Sequence, residues 1–139
     1  QEGFPRKTPK AEGRLRRGAA FVATLSDGAL VVRTRPDKGL LAKMTEVPTT
    51  GWTHAFDDAG ALEHAPLKAK WQRVPGLVTH IFTHFPLELA VYRAHVPNNT
   101  RAPHGIRWIA AHEIEGEAFP NVFRKVIAHA LDGDQTALR

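Results

Sequence analysis

The sequence has no cysteine, one methionine and a single serine. Without cysteine the chain can form no disulfide, has no thiol nucleophile and cannot hold zinc or an iron–sulfur cluster through thiolates. No apolar stretch approaches the roughly 18 residues of a membrane-spanning helix, so we expect no membrane segment. The glycine-rich motifs of nucleotide binding are also missing, and Ser26 lies in a predicted turn rather than in a nucleophile elbow.

Positive charge is present but unevenly placed. The net charge is +5 over 139 residues. Residues 1–17 hold six basic and two acidic side chains, whereas the other 122 residues hold 13 basic and 12 acidic ones. We therefore predict a basic interdomain linker or arm at residues 1–17 and one folded domain at residues 18–139. The arm is either a solvated linker or a connector that lies near phosphates.

The apolar pattern predicts an α+β fold. An Asp27-Gly28 turn between two β-rich runs indicates a hairpin. The predicted strands are residues 18–25, 29–35, 45–47, 77–83, 87–95 and 107–110. Helices are predicted at residues 61–74 and from Pro120 to a stop at Asp132-Gly133. This order of elements predicts an α/β/α sandwich, in which helices flank a mixed β-sheet.

Two of the eight histidines, His80 and His84, stand four residues apart. On a helix this spacing can bind zinc, but the β-rich surroundings place the first of them in a strand. Four residues span about 13 Å of a strand, which is too far for one small ion, so we expect no metal site. Phe82, Thr83 and His84 then fall at a predicted turn. They are either ordinary hairpin residues or a group that reads a base edge or a phosphate.

Three segments resemble one known family. They are RRGAAFVATLSDGALVVRTRPDKGLLAKMTEVPTTGW, GLVTHIFTHFPLELAVYRA and FPNVFRKVIAHAL, which together span residues 16–131. The chain is similar to the C-terminal domain of MutY-type A/G-specific adenine DNA glycosylases. That domain has a fold similar to Nudix (MutT-like) hydrolases. Because the sequence does not begin with methionine, we also expect it to be an excised piece of a longer protein.

The resemblance implies recognition of 8-oxoguanine opposite adenine in double-stranded DNA. The family's recognition loop is Phe-Ser-His, and the matching positions here are Phe82, Thr83 and His84. Threonine in place of serine keeps the hydroxyl and adds a methyl group. The resemblance also implies an N-terminal catalytic domain of the same protein as partner, and a 4Fe-4S cluster only in that domain. We expect no cofactor in this chain, a monomer, and a cytoplasmic location with bacterial nucleoid DNA.

Two further expectations concern charge and catalysis. Candidate phosphate contacts lie in the arm and in the GLL segment, where the lysines could equally belong to a solvated loop; they are Arg14, Arg16, Arg17, Lys38 and Lys43. Nudix hydrolases bind Mg²⁺ through carboxylates, but residues 66–74, which match that motif's helix, contain no acid. We therefore expect a catalytically inert chain. The alternative function is a degenerate Nudix module that docks the catalytic domain or a repair partner.

Overall fold

The structure, a computed structural model, describes residues 13–137 and the side chains of residues 13–132. The strands are β1 (Arg16–Leu25), β2 (Leu30–Thr34), β3 (Thr45–Glu46), β4 (Gln72–Ile81), β5 (Pro86–Val96) and β6 (Arg107–Ile109). The helices are a 3-10 helix at Asp58–His64, a shorter one at Ala111–Glu113 and the α-helix α1 at Asn121–Ala137. The predicted strands therefore all exist, with bounds that differ by a few residues.

The strands form one mixed sheet in the order β3-β2-β1-β5-β4, with β6 paired to β2. The two central strands, β1 and β5, run parallel from the pair Arg16↔Leu87 to the pair Leu25↔Val96. The other pairings are antiparallel. Because β1 and β5 start side by side, the first residues of β1 lie at the same end of the sheet as the turn that joins β4 to β5.

The β1–β2 hairpin confirms the turn predicted from sequence. Gly28 adopts a positive φ of 92°, a conformation that glycine reaches without steric cost. Its N–H donates to the Leu25 carbonyl at 2.9 Å, and the Leu25 N–H donates to the Ala29 carbonyl at 2.9 Å. The turn therefore sets the register in which β2 folds back on β1.

Each face of the sheet buries its own apolar cluster. The α1 face carries the larger one, in which Val122, Phe123 and Val126 of the helix pack on inward-facing residues of the central strands. On the other face Phe21 and Tyr92 stack at 5.8 Å, and Trp71 meets Phe21 edge-on at 5.3 Å. The sheet is thus covered on both sides, as the predicted sandwich requires.

The helix predicted at residues 61–74 is wrong. A 3-10 helix ends at His64, residues 65–71 are irregular, and β4 begins at Gln72. Pro66 lacks the N–H that a helix interior needs, so it cannot sit mid-helix without cost. Two apolar residues of the predicted helix do not share one buried helical face. Leu62 is 49% exposed, and Val74 pairs with Val91 in the sheet.

The last helix begins where predicted but does not stop at Asp132-Gly133, because α1 continues to Ala137. A glycine inside a helix costs only about 1 kcal/mol relative to alanine, so it need not end one. At the other end of the chain, β1 begins at Arg16, two residues before the predicted domain start. Most of the predicted arm, residues 1–12, lies outside the described residues.

Candidate functional site

The candidate recognition residues lie at the tip of the β4–β5 hairpin. We call residues 82–85 the tip loop. Ile81 pairs with Pro86 at the end of the ladder, and the Phe82 N–H donates to the Phe85 carbonyl at 2.9 Å. Thr83 and His84 are exposed, whereas Phe82 is half-buried. The hairpin therefore presents a hydroxyl and an imidazole to solvent and turns its aromatic residues toward the domain.

An aromatic cluster, made of Trp52, Phe82, Phe85 and Phe123, anchors the tip loop. Phe82 stacks on Trp52 at 5.9 Å with an interplanar angle of 23°, and it lies 5.1 Å from Phe85. Trp52 also contacts Phe85 at 6.4 Å and Phe123 of α1 at 6.3 Å. Such pairs contribute about 0.5–1.5 kcal/mol each beyond the area they bury. The loop is thus tied to the core through both of its phenylalanines.

Trp52 can reach the sheet because Gly18 of β1 has no side chain. A Cβ at Gly18 would lie 2.9 Å from the Trp52 Cδ1 atom and 2.9 Å from the Thr50 Oγ1 atom. Real Cβ atoms do not come this close to their neighbours, so a larger residue would push the indole away. The Thr50 hydroxyl also accepts the Ala19 N–H at 3.0 Å. These contacts hold the segment around Trp52 against β1.

His80 supports the same cluster from β4. Its ring meets the Phe82 ring edge-on, at 4.7 Å between centroids and 67° between planes. The Lys125 ammonium of α1 donates to the His80 Nδ1 at 3.0 Å and to the Thr79 carbonyl at 3.1 Å. Partial burial, and next the charge of Lys125, lower the pKa of His80 below its usual value. The neutral ring is therefore the form that fits this position.

This pKa shift predicts a pH effect on stability. Because the folded pKa is depressed, His80 stabilises the fold fully above its ordinary pKa of about 6.5, and this contribution is lost as the pH falls below that value. We expect the free energy of unfolding of the wild type to drop more between pH 7 and pH 5 than that of His80→Gln, which cannot titrate there. Urea unfolding of both proteins at the two pH values measures the difference. Equal drops would contradict the assigned role.

The start of the described chain lies against the tip loop. A Cβ at Gly13 would come within 2.3 Å of the His84 carbonyl oxygen, so the two backbones are in close contact. The guanidinium carbon of Arg16 lies 4.0 Å above the centre of the Phe85 ring, a cation–π geometry. The segment that leads into β1 therefore runs beside the candidate recognition residues.

Gly13→Ala is expected to move the tip loop, because the added methyl group cannot occupy the space of the His84 carbonyl. The backbone amide resonances of Thr83, His84 and Phe85 should shift in a ¹H–¹⁵N correlation spectrum. Gly60→Ala is the matched control, since the nearest atom to a Cβ there is 3.9 Å away. Unchanged loop resonances in Gly13→Ala would show that the contact does not persist in solution.

The remaining candidate phosphate contacts are more dispersed. Arg14 is exposed next to Gly13, and Arg17 lies 3.6 Å from the Glu88 carboxylate in a partly exposed ion pair. Lys38 and Lys43 are exposed in the loop between β2 and β3. Nothing in the described part of the chain joins either lysine side chain to the tip loop. Of the five cations, the structure places Arg16 in contact with that loop.

A cavity of about 350 Å³ adjoins the aromatic cluster, and of its charged wall residues only Arg16 was predicted from the sequence as a site residue. Its walls include Arg16, Arg33, Arg35, Glu46 and Trp52. Arg33 donates from Nε to Glu46 Oε2 at 2.5 Å, and Arg35 donates from Nη1 to Glu46 Oε1 at 2.6 Å. The available signal was the spacing of Arg33, in β2, and Arg35, one residue beyond its end. Residues two apart in extended backbone lie on the same face.

The described part of the chain contains neither a metal-binding cluster nor a membrane-spanning helix. In residues 13–132, whose side chains the structure describes, no group of three or more His, Asp or Glu side chains is arranged to hold a metal ion. Residues 66–74, where the resemblance led us to expect the equivalent of a metal-binding helix, form an irregular segment and the start of β4. No helix in the described part of the chain is long and apolar enough to cross a membrane.

Comparisons with known proteins agree with this architecture. The model of the NUDIX domain family (NUDIX_4) matches residues 19–129. A human adenine DNA glycosylase is 30% identical over 137 residues, covering 88% of this chain but 25% of the human protein. The chain thus spans about a quarter of that relative's length.

Solved structures show the same fold. The C-terminal domain of mouse MUTYH, solved in complex with human PCNA, superposes with a TM-score of 0.67 and 24% identity, over 86% of this chain and 90% of that one. A MutT protein from Methanosarcina mazei gives a TM-score of 0.64 at 14% identity, over 96% and 100%. The predicted α+β, Nudix-like fold and the predicted resemblance are both confirmed. The chain belongs to the NUDIX domain family, and within it resembles the C-terminal domain of adenine DNA glycosylases.

Proposed function

We propose that this chain is the lesion-recognition domain of an adenine DNA glycosylase and reads 8-oxoguanine opposite adenine in double-stranded DNA. One observation carries the proposal: Thr83 and His84 are exposed at the tip of a hairpin that the aromatic cluster anchors to the core. A recognition loop needs exposed polar groups on a fixed support. The identity of 30% to a human adenine DNA glycosylase supports a role in DNA repair.

The chemistry of the lesion suits these side chains. Guanine presents acceptors at N7 and O6 in the major groove, whereas oxidation at C8 turns N7 into a donor and adds a carbonyl. The Thr83 hydroxyl can accept a hydrogen bond from the oxidised N7–H. With guanine the same hydroxyl would have to donate, and a hydroxyl can do both. Discrimination therefore needs a second group, and His84 can either orient the hydroxyl or contact a phosphate.

The proposal divides the work of the glycosylase between two domains. This chain reads the lesion, and the N-terminal catalytic domain flips the adenine out and cleaves its glycosidic bond. We place the 4Fe-4S cluster in that domain, because this chain has no cysteine to hold one. In this account the chain itself performs no reaction and acts as a monomer on DNA in the cytoplasm.

A second function, docking of a protein partner, is favoured by an apolar surface on the face of the sheet opposite α1. A cavity of about 440 Å³ is lined there by Leu62, Leu67, Trp71 and neighbouring residues, and Leu62 is 49% exposed. The related domain of mouse MUTYH was solved with a protein partner, human PCNA. This function would be favoured if the resonances of residues around Leu62 shifted on addition of a partner protein but not on addition of lesion DNA.

Binding to matched DNA duplexes tests the proposed function. The chain is titrated with duplexes that differ only in carrying 8-oxoguanine:adenine or guanine:adenine, and the double substitution of Thr83 and His84 by Ala is compared with wild type. We expect the wild type to prefer the oxidised duplex and the double variant to lose about tenfold of that preference. The matched control is Thr100→Ala with His104→Ala, in the loop at the opposite end of β5. An unchanged preference in the tip-loop variant would refute the assignment.

A further inference from the structure

The cavity beside the aromatic cluster has the composition of an anion site. We call it the arginine pocket and define it by Arg16, Arg33, Arg35, Glu46 and Trp52, which line it together with Pro36, Leu40 and residues 49–51. Three arginines and one glutamate line the pocket, so the charged side chains of its wall sum to a positive charge. A pocket with excess positive charge and low-dielectric walls concentrates anions.

The Glu46 carboxylate does not neutralise the positive charge that the pocket offers to an anionic ligand. Glu46 is 2% exposed, and each of its oxygens accepts from one arginine, Oε2 from Arg33 and Oε1 from Arg35. Arg33 also donates from Nη2 to the Thr49 carbonyl, and Arg35 from Nε to the Leu40 carbonyl. A guanidinium has five N–H donors, so both arginines keep donors beyond these bonds. The buried Glu46 carboxylate therefore fixes the positions of two guanidinium groups that remain accessible to solvent.

Two of the three guanidinium groups also lie against aromatic rings. Arg35 lies 4.9 Å from the centre of the Trp52 ring, and Arg16 lies 4.0 Å from that of Phe85. Ordering a free arginine on binding costs side-chain entropy. Because these contacts already order Arg16 and Arg35 in the unbound protein, less entropy is lost when a ligand binds. Planar guanidinium forks that are fixed in advance match the oxygen geometry of phosphate.

The arginine pocket adjoins the tip loop through shared residues. Trp52 lines the pocket and stacks on Phe82, while Arg16 lines the pocket and lies over Phe85. We propose that the arginine pocket binds a backbone phosphate of the duplex whose lesion the tip loop reads. This inference rests on the proposed function, and it adds Arg33 and Arg35 to the DNA-binding surface. A bound phosphate would fix the position of the backbone relative to Thr83 and His84.

Neutralising single phosphates tests the inference. A set of 8-oxoguanine:adenine duplexes is made, each with one phosphate near the lesion replaced by an uncharged methylphosphonate, and the Kd for the chain is measured. We expect one position to weaken wild-type binding about tenfold, and Arg16→Gln to become insensitive at that same position. Arg16 makes no bond to Glu46 among the described contacts, so this substitution leaves the buried ion pairs intact. Arg101→Gln, an exposed arginine in the loop after β5, is the control that keeps the sensitivity.

Salt dependence gives an independent reading of the same contact. The slope of log Kd against log salt should fall by about 0.9 in Arg16→Gln, as expected for one lost phosphate contact, and stay unchanged in Arg101→Gln. A wild type that is indifferent to every single methylphosphonate, or an Arg16→Gln variant that stays sensitive, would overturn the proposal. The preference for the oxidised duplex is recorded in the same titrations. If that preference persists while the phosphate scan is flat, the tip loop is a reader and the pocket is not a DNA site.

Free phosphate is the other source of the same chemistry. Titration with inorganic phosphate and with dGMP, followed by the Trp52 indole resonance, reports direct occupation of the arginine pocket. Weak binding that duplex DNA displaces supports the proposal. Tight binding that duplex DNA does not displace would make the pocket a site for a free nucleotide instead and would overturn it.

Discussion

Replacing Trp52 by Ala is expected to lower the free energy of unfolding by about 3 kcal/mol, near the lower end of the range for large aromatic truncations, because the indole is only partly buried. Trp52 is the residue that joins Phe82, Phe85 and Phe123. Its removal therefore opens a space between the tip loop, the sheet and α1. Urea unfolding monitored by circular dichroism measures the change.

The same substitution should release the tip loop. In Trp52→Ala the amide resonances of Thr83 and His84 should shift and broaden, since the Phe82 ring loses its stacking partner. Trp108→Ala is the matched control: this tryptophan is also half-buried, but it packs with Leu25 and Val96 at the opposite end of β5. A tip loop that responds equally to both substitutions, or to neither, would mean that Trp52 does not anchor it.

Replacing Glu46 by Gln is the second change with a large expected effect, again about 3 kcal/mol of unfolding free energy. Removing one member of a buried ion pair leaves the partner's charge uncompensated, and here two arginines lose their counter-charge. The side chains of Arg33 and Arg35 are 36% and 17% exposed, so solvent relieves part of the cost and the value falls at the low end of the range. Chemical denaturation of wild type and variant measures it.

Glu88→Gln provides the comparison for Glu46. The Glu88 carboxylate lies 3.6 Å from Arg17 in a partly exposed pair, and such pairs contribute less than about 1 kcal/mol. We expect Glu46→Gln to be several-fold more destabilising than Glu88→Gln. If the two losses were equal, the Arg33–Glu46–Arg35 arrangement would not be the fixed network that the arginine pocket requires.

Local signals explain the parts of the fold that sequence reasoning predicted. The β1–β2 hairpin is encoded by Asp27-Gly28 between two apolar strands, and α1 by the spacing of Val122, Phe123 and Val126. Both signals act over a few residues. The helix predicted at 61–74 failed because its apolar residues serve a 3-10 helix, an irregular segment and a strand in turn, which periodicity alone cannot separate.

In the candidate site, too, residues in a local motif were predicted and residues brought together by strand pairing were not. Thr83 and His84 were predicted to lie at a turn, and the structure places both at an exposed hairpin tip. Trp52 and Glu46 were missed as site residues because their partners are distant in sequence. Trp52 stacks on Phe82, and Glu46 pairs with Arg33 of β2 and with Arg35, which lies one residue beyond the end of β2. Such contacts depend on how strands pair, which no short motif states.

Selectivity of adenine excision tests the central claim most directly. A full-length adenine glycosylase that carries this chain is compared with its Thr83→Ala, His84→Ala double variant in single-turnover excision from 8-oxoguanine:adenine and guanine:adenine duplexes. The account predicts that the rate on guanine:adenine survives while the preference for the oxidised mispair falls about tenfold. An unchanged preference would contradict the account. Lesion recognition would then lie in the catalytic domain, and this domain would be a docking module.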